Sequence, residues 1–125
     1  MLGLQFESLV YNNLQEVMRR IGLDHALVLS AAPYVQNPTS RYAGCQIDLL
    51  IQTKRMQYVV EIKRRESVGE WVVSEVEDKL SKFKTSRAVS VVPVLVYDGH
   101  LSKRVQADGY FGRTISAREM LGLPD

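Results

Sequence analysis

Charged residues inside two strand-like segments are the feature that most constrains how this chain can fold. Residues 44–51 and 56–65 are largely apolar runs joined by a short basic connection, a pattern that predicts a β-hairpin. The first run contains Asp48, and the second contains Glu61 and Lys63. The neighbouring residues are too apolar for a sheet exposed on both faces, so these charges are expected to be withdrawn from water.

The register of this hairpin predicts which charges meet. A turn centred on residues 54–55 sets Asp48 directly opposite Glu61, and Gln46 opposite Lys63. Opposed side chains have Cβ atoms about 4.5–5.5 Å apart, and like charges there are destabilising. Two buried carboxylates need a cation or an uptake of protons, and Mg²⁺ commonly takes one or two carboxylates together with several waters. Alternation along the strand puts Lys63 on the face of Glu61, where it can orient a water or stabilise an anionic substrate.

A simpler interpretation competes with this one. Charged residues in strands most often lie on a solvated face, so Asp48, Glu61 and Lys63 could form a surface ion cluster. The apolar flanks and the convergence of the three residues in one register favour a buried site.

Length and composition limit the class of protein. The chain has 125 residues, enough for one domain with a single core, and its 46% hydrophobic and 24% charged content is ordinary for a globular protein. The lone Cys45 excludes an internal disulfide. No apolar run approaches the ~18 residues of a membrane span, and the start lacks a signal-peptide pattern, so a cytoplasmic location is expected.

The first third of the chain predicts a helix followed by a strand. Apolar residues recur at helical spacing over residues 4–21, and Gly22 is a plausible stop. Glu7 falls towards the apolar side of this helix. Two interpretations remain for it: a first-turn glutamate that favours the helix dipole and reaches water, or a third acid leaning over Asp48 and Glu61. Residues 26–32 predict a short strand, and residues 33–44 a loop.

The second half predicts a strand–helix–strand crossover and a short C-terminal unit. A capping-box pattern at residues 67–70 places a helix start near Gly69, with Val73, Val76, Leu80 and Phe83 as its buried stripe. Glu75–Lys79 and Asp78–Lys82 are expected as i,i+4 pairs on its wet side. Residues 88–97 read as a strand covered on both faces and parallel to its neighbour, with Pro93 indicating a bulge or an unpaired edge. Further along, the patterns predict a turn at Asp98-Gly99, a strand over residues 110–115 and a capping box at residues 116–119.

Basic residues gather in the middle third of the chain, although the net charge is only +2. Such clusters contact phosphates or simply form a solvated face, and on composition alone the two are equally supported. The candidates for nucleic-acid contacts are Arg64, Arg65, Lys82 and Lys84.

The order of these elements resembles the restriction-endonuclease-like PD-(D/E)XK nuclease superfamily. Asp48 matches its first acid, and Glu61-Ile62-Lys63 matches its E-x-K element. Glu7 matches an acid that many members carry in the first helix. Within the superfamily, the chain is most similar to nuclease-like domains at the C-terminus of bacterial and archaeal ATPases. The resemblance covers residues 6–97; Ile47 stands where the motif name has proline, and the glutamine–tyrosine motif of RecB-type nucleases is missing after Lys63.

The resemblance implies a fold and a chemistry. The fold would be α/β, with a mixed central sheet of four to five strands flanked by helices in the order αβββαβ. Asp48, Glu61, the backbone carbonyl of Ile62 and, as a further ligand, Glu7 would hold Mg²⁺ or Mn²⁺. Lys63 would position the attacking water, and the substrate would be DNA. Residues 1–125 would form one such domain, either alone or as part of a longer ATPase-containing protein.

Three functions follow from these observations. The first is a divalent-metal-dependent nuclease that hydrolyses DNA phosphodiester bonds. The second is a catalytically silent module on the same fold that binds DNA or protein and serves an attached ATPase. The third is a homodimeric resolvase that recognises branched DNA.

Overall fold

A computed structural model describes residues 3–124 of the protein. Within this range, five helices and five strands follow one another, with one 3₁₀ turn at His25–Leu27 before the first strand. The helices are α1 (Gly3–Tyr11), α2 (Leu14–Ile21), α3 (Trp71–Lys82), α4 (Lys103–Asp108) and α5 (Ala117–Met120). The strands are β1 (Ser30–Gln36), β2 (Cys45–Gln52), β3 (Met56–Val68), β4 (Ser90–Leu101) and β5 (Arg113–Ser116).

The strands form one mixed sheet in the order β1-β2-β3-β4-β5. The pairs β1/β2 and β2/β3 are antiparallel, whereas β3/β4 and β4/β5 are parallel. The mixed α/β sheet predicted from the sequence is therefore confirmed, and α3 connects the parallel strands β3 and β4 as expected. No helix within residues 3–124 is long and apolar enough to cross a membrane.

The core lies on both faces of the sheet. On one face, α1, α2 and α5 pack against alternate residues of the central strands, including Val60, Ile62 and Val96. On the other face, Val72, Val73 and Val76 of α3 pack with Leu95 and with α4. A smaller cluster joins β2 to the end of α3 through Ile47, Leu50, Val59 and Phe83. The buried stripe predicted for α3 is confirmed at Val73, Val76 and Phe83, whereas Leu80 is only partly buried.

The predicted single helix over residues 4–21 is wrong, because Asn12 and Asn13 break it into α1 and α2. The side-chain amide of Asn13 donates to the carbonyl of Leu9 at 2.7 Å, a local bond with which asparagine competes with helical geometry. Both halves still bury apolar residues in one cluster, and Gly22 closes α2 at φ +85° as predicted.

The start of the sheet also lies further along the chain than predicted. β1 occupies Ser30–Gln36 rather than residues 26–32, so the following loop begins only at Asn37. Most β1 side chains are exposed because β1 is an edge strand, and apolar content is therefore a poor guide to its position. Pairing with β2, which no local pattern reveals, determines its bounds.

Gln36 at the end of β1 is a polar anchor that the sequence did not reveal. Its side chain is 9% exposed, and its amide donates to the carbonyls of Ala43 and Lys82 at 2.8 and 2.7 Å. Its oxygen accepts the backbone N–H of Lys84 at 2.8 Å. One side chain therefore joins β1, the loop before β2 and the end of α3.

We expect Gln36→Leu to lower the free energy of unfolding by about 2–4 kcal/mol, because it leaves several buried backbone groups without partners. Urea unfolding of the variant and of the parent measures this difference. Gln52→Leu is the matched control, because the hydrogen bonds of the Gln52 side chain go to the side chains of Ser30 and Gln57 rather than to backbone groups. Equal losses in the two variants would contradict an anchoring role for Gln36.

Of two expectations around α3 and β4, one is wrong and the other is partly confirmed. The capping box at residues 67–70 does not form, because β3 continues to Val68, and Glu70 makes no side-chain cap bond at the start of α3. No bulge forms at Pro93, which pairs in register with Val59, but the ladder with β5 begins only at Val94, so the other edge of Pro93 is unpaired as predicted. Its carbonyl accepts the N–H of Gly112 at 2.8 Å. The side of Pro93 that lacks a donor therefore faces the segment just before β5, where no ladder bond is lost.

The C-terminal part contains a further difference. Asp98 and Gly99 lie inside β4 rather than in a turn, and α4, which was not predicted, follows that strand. The last strand begins at Arg113, later than the predicted residues 110–115. The second capping box is confirmed, because the Ser116 hydroxyl accepts the N–H of Glu119 at 3.2 Å.

Candidate active site

The candidate site lies where β2 and β3 separate. The predicted hairpin register is confirmed over four pairs, from Gln52–Gln57 to Leu49–Val60, and the ladder ends there although both strands continue. Beyond Val60, β3 stays paired with β4 alone. Asp48 and Glu61, the next residues in this register, therefore stand at the vertex of the opening rather than in the ladder.

A bulge in β2 changes the direction of Asp48. β1 pairs Ala32 with Leu50 but Tyr34 with Ile47, so two residues of β2 oppose Pro33 alone. Strict alternation would place Asp48 on the face of Leu50, but alternation is broken at this point, since Ile47 and Leu50 pack in the same cluster. Bulges commonly redirect a side chain near a functional site.

Asp48 is held by hydrogen bonds from two elements. Its Oδ2 accepts the backbone N–H of Ile62 at 2.8 Å, which takes the place of a ladder bond. Its carbonyl oxygen accepts the hydroxyl of Tyr11 in α1 at 2.8 Å. Burial raises the pKa of Asp48 above its usual value, and the Ile62 N–H and the charge of Lys79 only partly oppose that effect.

Glu61 is a buried carboxylate with two ammonium partners. The residue is 1% exposed, and its Oε2 and Oε1 lie 2.9 and 3.2 Å from the Nζ of Lys79. The Nζ of Lys63 lies 3.3 Å from Oε1. Burial and the charge of Asp48 raise the pKa of Glu61 despite both lysines. The cation that a buried acid pair requires is thus supplied, in this structure, by protein ammonium groups.

Lys63 lies on the face of Glu61, as predicted. Its Nζ is 2.6 Å from Oε1 of Glu75 and 5.9 Å from the ring centroid of Trp71, both on α3. Burial alone would lower the pKa of Lys63, but its bonds and charge interactions with Glu75 and Glu61 outweigh this and raise it. Lys63 is therefore a protonated donor at rest.

Lys79 and Glu75 are the site residues that sequence reasoning missed. They were predicted to pair with each other on the wet side of α3, but each turns to β3 instead. The predicted Asp78–Lys82 pair does form, at 3.0 Å. The helical spacing carried a usable signal: Lys79 follows the buried Val72 and Val76 by seven and three residues, which places it on the buried side of α3.

Glu7 lies on the side of α1 that approaches this site. Its charge raises the pKa of Asp48, and it also contributes, after burial, to raising the pKa of Tyr11 to about 12. Both effects favour the interpretation of Glu7 as a third acid near Asp48 over that of a purely solvated side chain.

The four basic residues predicted to contact nucleic acid fall into two separate pairs. Arg64 and Arg65 follow Lys63 in β3 and line an open cleft of about 1070 Å³ at the carboxyl ends of the parallel strands. Lys82 and Lys84 lie at the opposite end of α3, around Gln36. The cleft also carries Lys103 and Arg118. Arg118 and Arg64 share Asp98, at 3.3 and 3.7 Å respectively.

The donor set suits a hard cation only in part. Across residues 3–124, no group of three or more His, Cys, Asp or Glu side chains is placed to hold a metal ion. Two carboxylates are nevertheless a sufficient protein share for Mg²⁺, which retains several waters. Within a strand, the N–H and C=O of one residue point the same way, so the carbonyl of Ile62 faces Asp48 as its N–H does. Asp48, Glu61 and this carbonyl can therefore contribute oxygen ligands from one side.

Comparison with known proteins adds no relative. No protein-family model matches the chain, and no curated protein matches it at a significant level.

Proposed function

We propose that the protein is a divalent-metal-dependent phosphodiesterase with a restriction-endonuclease-like fold and DNA as its substrate. One observation carries this proposal: Asp48, Glu61 and Lys63, spaced as D…E-x-K, meet at the opening between β2 and β3, with Glu61 buried. The pKa values of Asp48 and Glu61 are both raised, which means that their ionised forms are disfavoured. A divalent cation would stabilise these ionised forms more than an ammonium group does. Sites that perturb several pKa values at one point are often functional.

Each residue has a distinct role in the proposed reaction. Asp48, Glu61 and the Ile62 carbonyl would hold Mg²⁺ or Mn²⁺, with Glu7 available to accept a hydrogen bond from a bound water. A bound ion of this kind lowers the pKa of its water and neutralises charge on a phosphate. The Lys63 ammonium would donate to the attacking water or to a phosphate oxygen, and Glu75 keeps that ammonium pointed at the site.

The cleft at the carboxyl ends of the parallel strands offers a path for the substrate backbone. Arg64 and Arg65 line this cleft and follow Lys63 in β3, although Asp48, Glu61 and Lys63 are not among its lining residues. Positive side chains along such a path supply most of the sequence-independent affinity for DNA. Lys82 and Lys84 lie away from this cleft, and we assign them no phosphate contact.

A second function is favoured by a specific observation. Lys79 and Lys63 pair with Glu61, and Asp48 accepts a hydrogen bond from Ile62, so both carboxylates have protein partners without a metal. A catalytically silent DNA- or protein-binding module on this fold would have this arrangement. Metal binding separates the two functions, because only the nuclease requires a divalent ion at Asp48 and Glu61.

The direct test is cleavage of labelled linear, single-stranded and branched DNA with Mn²⁺ or Mg²⁺. We expect the parent to cut, and Lys63→Met to lower the rate by about 10²- to 10³-fold, as loss of one positioned donor typically does. Lys54→Met is the matched control, because Lys54 is an exposed lysine in the hairpin turn. Failure of the parent to cut any of these substrates, or equal rates for Lys63→Met and the parent, would refute the nuclease.

A further inference from the structure

Lys79 is the feature of this site that the proposed chemistry does not use. Its ammonium contacts both oxygens of Glu61, at 2.9 and 3.2 Å, from the third turn of α3. Its side chain is 17% exposed and that of Glu61 is 2% exposed, so the pair is largely shielded from water. Within residues 3–124, Glu61 is the only ion-pair partner of Lys79.

The Lys79 ammonium occupies the position that a divalent cation bound to Glu61 would take. An ammonium bridging both carboxylate oxygens takes the directions from which a divalent ion would approach them, and Mg²⁺ requires oxygen at about 2.0–2.1 Å. Two cations held on the same two oxygens in a poorly solvated site repel each other strongly. Glu61 can therefore serve Lys79 or a metal ion, but not both in the present geometry.

Lys63 does not compete in the same way. Its ammonium has a closer partner in Glu75, at 2.6 Å, and lies against the ring of Trp71. It can keep these contacts when Glu61 turns to a metal. Lys79 has no such second partner among the described residues, so a metal ion that binds Glu61 must break the ion pair of Lys79.

We infer that Lys79 is a built-in counter-ion that a divalent cation must displace from Glu61, and that it thereby sets the affinity of the site for metal. This inference rests on the proposed function, since it assumes a metal at Asp48 and Glu61. Displaced, the flexible lysine side chain reaches solvent from its partly exposed position, where it can meet the phosphate that arrives with the substrate.

Removal of the charge on Lys79 has two opposite consequences under this inference. Without metal, Lys79→Gln loses the ion pair to a buried carboxylate and lowers the melting temperature. With metal, the competitor is gone, and Mn²⁺ binds at least about ten-fold more tightly, in the usual range for coupling between two binding events. A purely structural lysine would show the loss of stability without the gain in affinity.

Titration calorimetry with Mn²⁺ at about pH 8, where carboxyl groups are mostly ionised, measures the affinity in the parent, Lys79→Gln and Lys54→Met. Lys54→Met removes the same charge from the distant hairpin turn and is expected to bind like the parent. If the parent binds Mn²⁺ and Lys79→Gln binds no more tightly, the inference is overturned while the proposed function stands. If neither protein binds Mn²⁺, the proposed function fails and the inference fails with it.

A second measurement uses the parent chain alone and so does not depend on the folding of a variant. An amine-reactive acetylating reagent, read by mass spectrometry, should modify Lys79 several-fold faster with saturating Mn²⁺ than without it. Lys54 in the same sample serves as the internal reference for reagent activity. An unchanged or slower modification of Lys79 at saturating Mn²⁺ would contradict displacement.

Discussion

Asp48→Asn is expected to make the metal-free protein more stable at neutral pH while it abolishes cleavage. Asparagine has nearly the same shape, and its side-chain oxygen can still accept the N–H of Ile62, as Asp48 does at 2.8 Å. Asparagine carries no charge. In the parent, burial of the Asp48 charge raises the pKa of Asp48, and repulsion by that charge raises the pKa of Glu61. A gain in stability with a loss of function is the pattern expected where a site holds unfavourable charge for its chemistry.

The sign of the pH dependence follows from the raised pKa. Between the usual pKa of an aspartate, about 4, and its higher value in the folded protein, the folded state binds more protons than the unfolded state. The contribution of Asp48 to stability therefore falls as the pH rises through this window. The advantage of Asp48→Asn over the parent should be smallest below about pH 4 and should grow towards neutral pH.

The loss of cleavage should be large, because Asp48 is one of two side chains proposed to hold the metal. A metal ion supplies several kcal/mol of transition-state stabilisation, so we expect a decrease of about a thousand-fold or more. Mn²⁺ should raise the melting temperature of the parent but not that of Asp48→Asn.

Urea unfolding across pH, melting curves with and without Mn²⁺, and single-turnover cleavage measure these three effects. Asp78→Asn is the control, because Asp78 is an exposed carboxylate that pairs with Lys82 near the end of α3. A surface change of this kind should alter stability by no more than about 0.5 kcal/mol. A variant at Asp48 that is less stable than the parent at neutral pH would mean that the Asp48 charge is net stabilising.

The part of the site that could be predicted is the part encoded in one contiguous hairpin. The short connection between two apolar runs determines the register, and that register is confirmed as far as Leu49–Val60, the pair before Asp48 and Glu61. Alternation with period two correctly placed Lys63 beside Glu61. Both are short-range consequences of strand geometry, which sequence spacing determines directly.

The remainder depends on how separate elements meet. The bulge at Asp48 arises from pairing with β1, an edge strand whose exposed residues gave no clear pattern. Glu75 and Lys79 have ideal spacing for a mutual helix pair, yet β3 offers each a partner that is better shielded from water. A competing long-range partner is invisible to a local rule, and this is why the contact between Lys79 and Glu61 was not predicted.

Among the described glycines with positive φ, Gly99 is the one whose substitution is expected to harm folding most. Gly99 has φ +125°, and a Cβ built on it would lie 1.6 Å from the carbonyl oxygen of Arg65. The register between β3 and β4 shifts here: Arg64 pairs with Asp98, and Ser67 with His100. Gly99 therefore lies opposite a bulge in β3 rather than in a turn, because Arg65 and Glu66 oppose it alone. Both the turn and the bulge use the conformational freedom of glycine.

We expect Gly99→Ala to lower the free energy of unfolding by about 4 kcal/mol or more, or to prevent folding, because the contact is with backbone and cannot be relieved by a side-chain rotation. Gly109→Ala is the matched control. Gly109 also has a positive φ, +75°, but a Cβ there meets nothing within 4 Å. That variant should lose only the cost of the left-handed conformation, about 1–2 kcal/mol. Urea unfolding of both variants isolates the steric part of the effect.

The consequence for function follows from the position of Gly99 in the cleft. Gly99 lines the same cleft as Arg64 and Arg65, and Arg64 is held 3.7 Å from Asp98, its neighbour in the adjacent strand. If Gly99→Ala folds under stabilising conditions, β3 must shift away from β4, and this shift should weaken DNA binding. The affinity for Mn²⁺ should change little, because Asp48, Glu61 and Lys79 determine it. Equal stability of Gly99→Ala and Gly109→Ala would show that β3 and β4 are not in the close contact described. Loss of Mn²⁺ binding in a folded Gly99→Ala would show instead that the cleft and the acidic site are one unit.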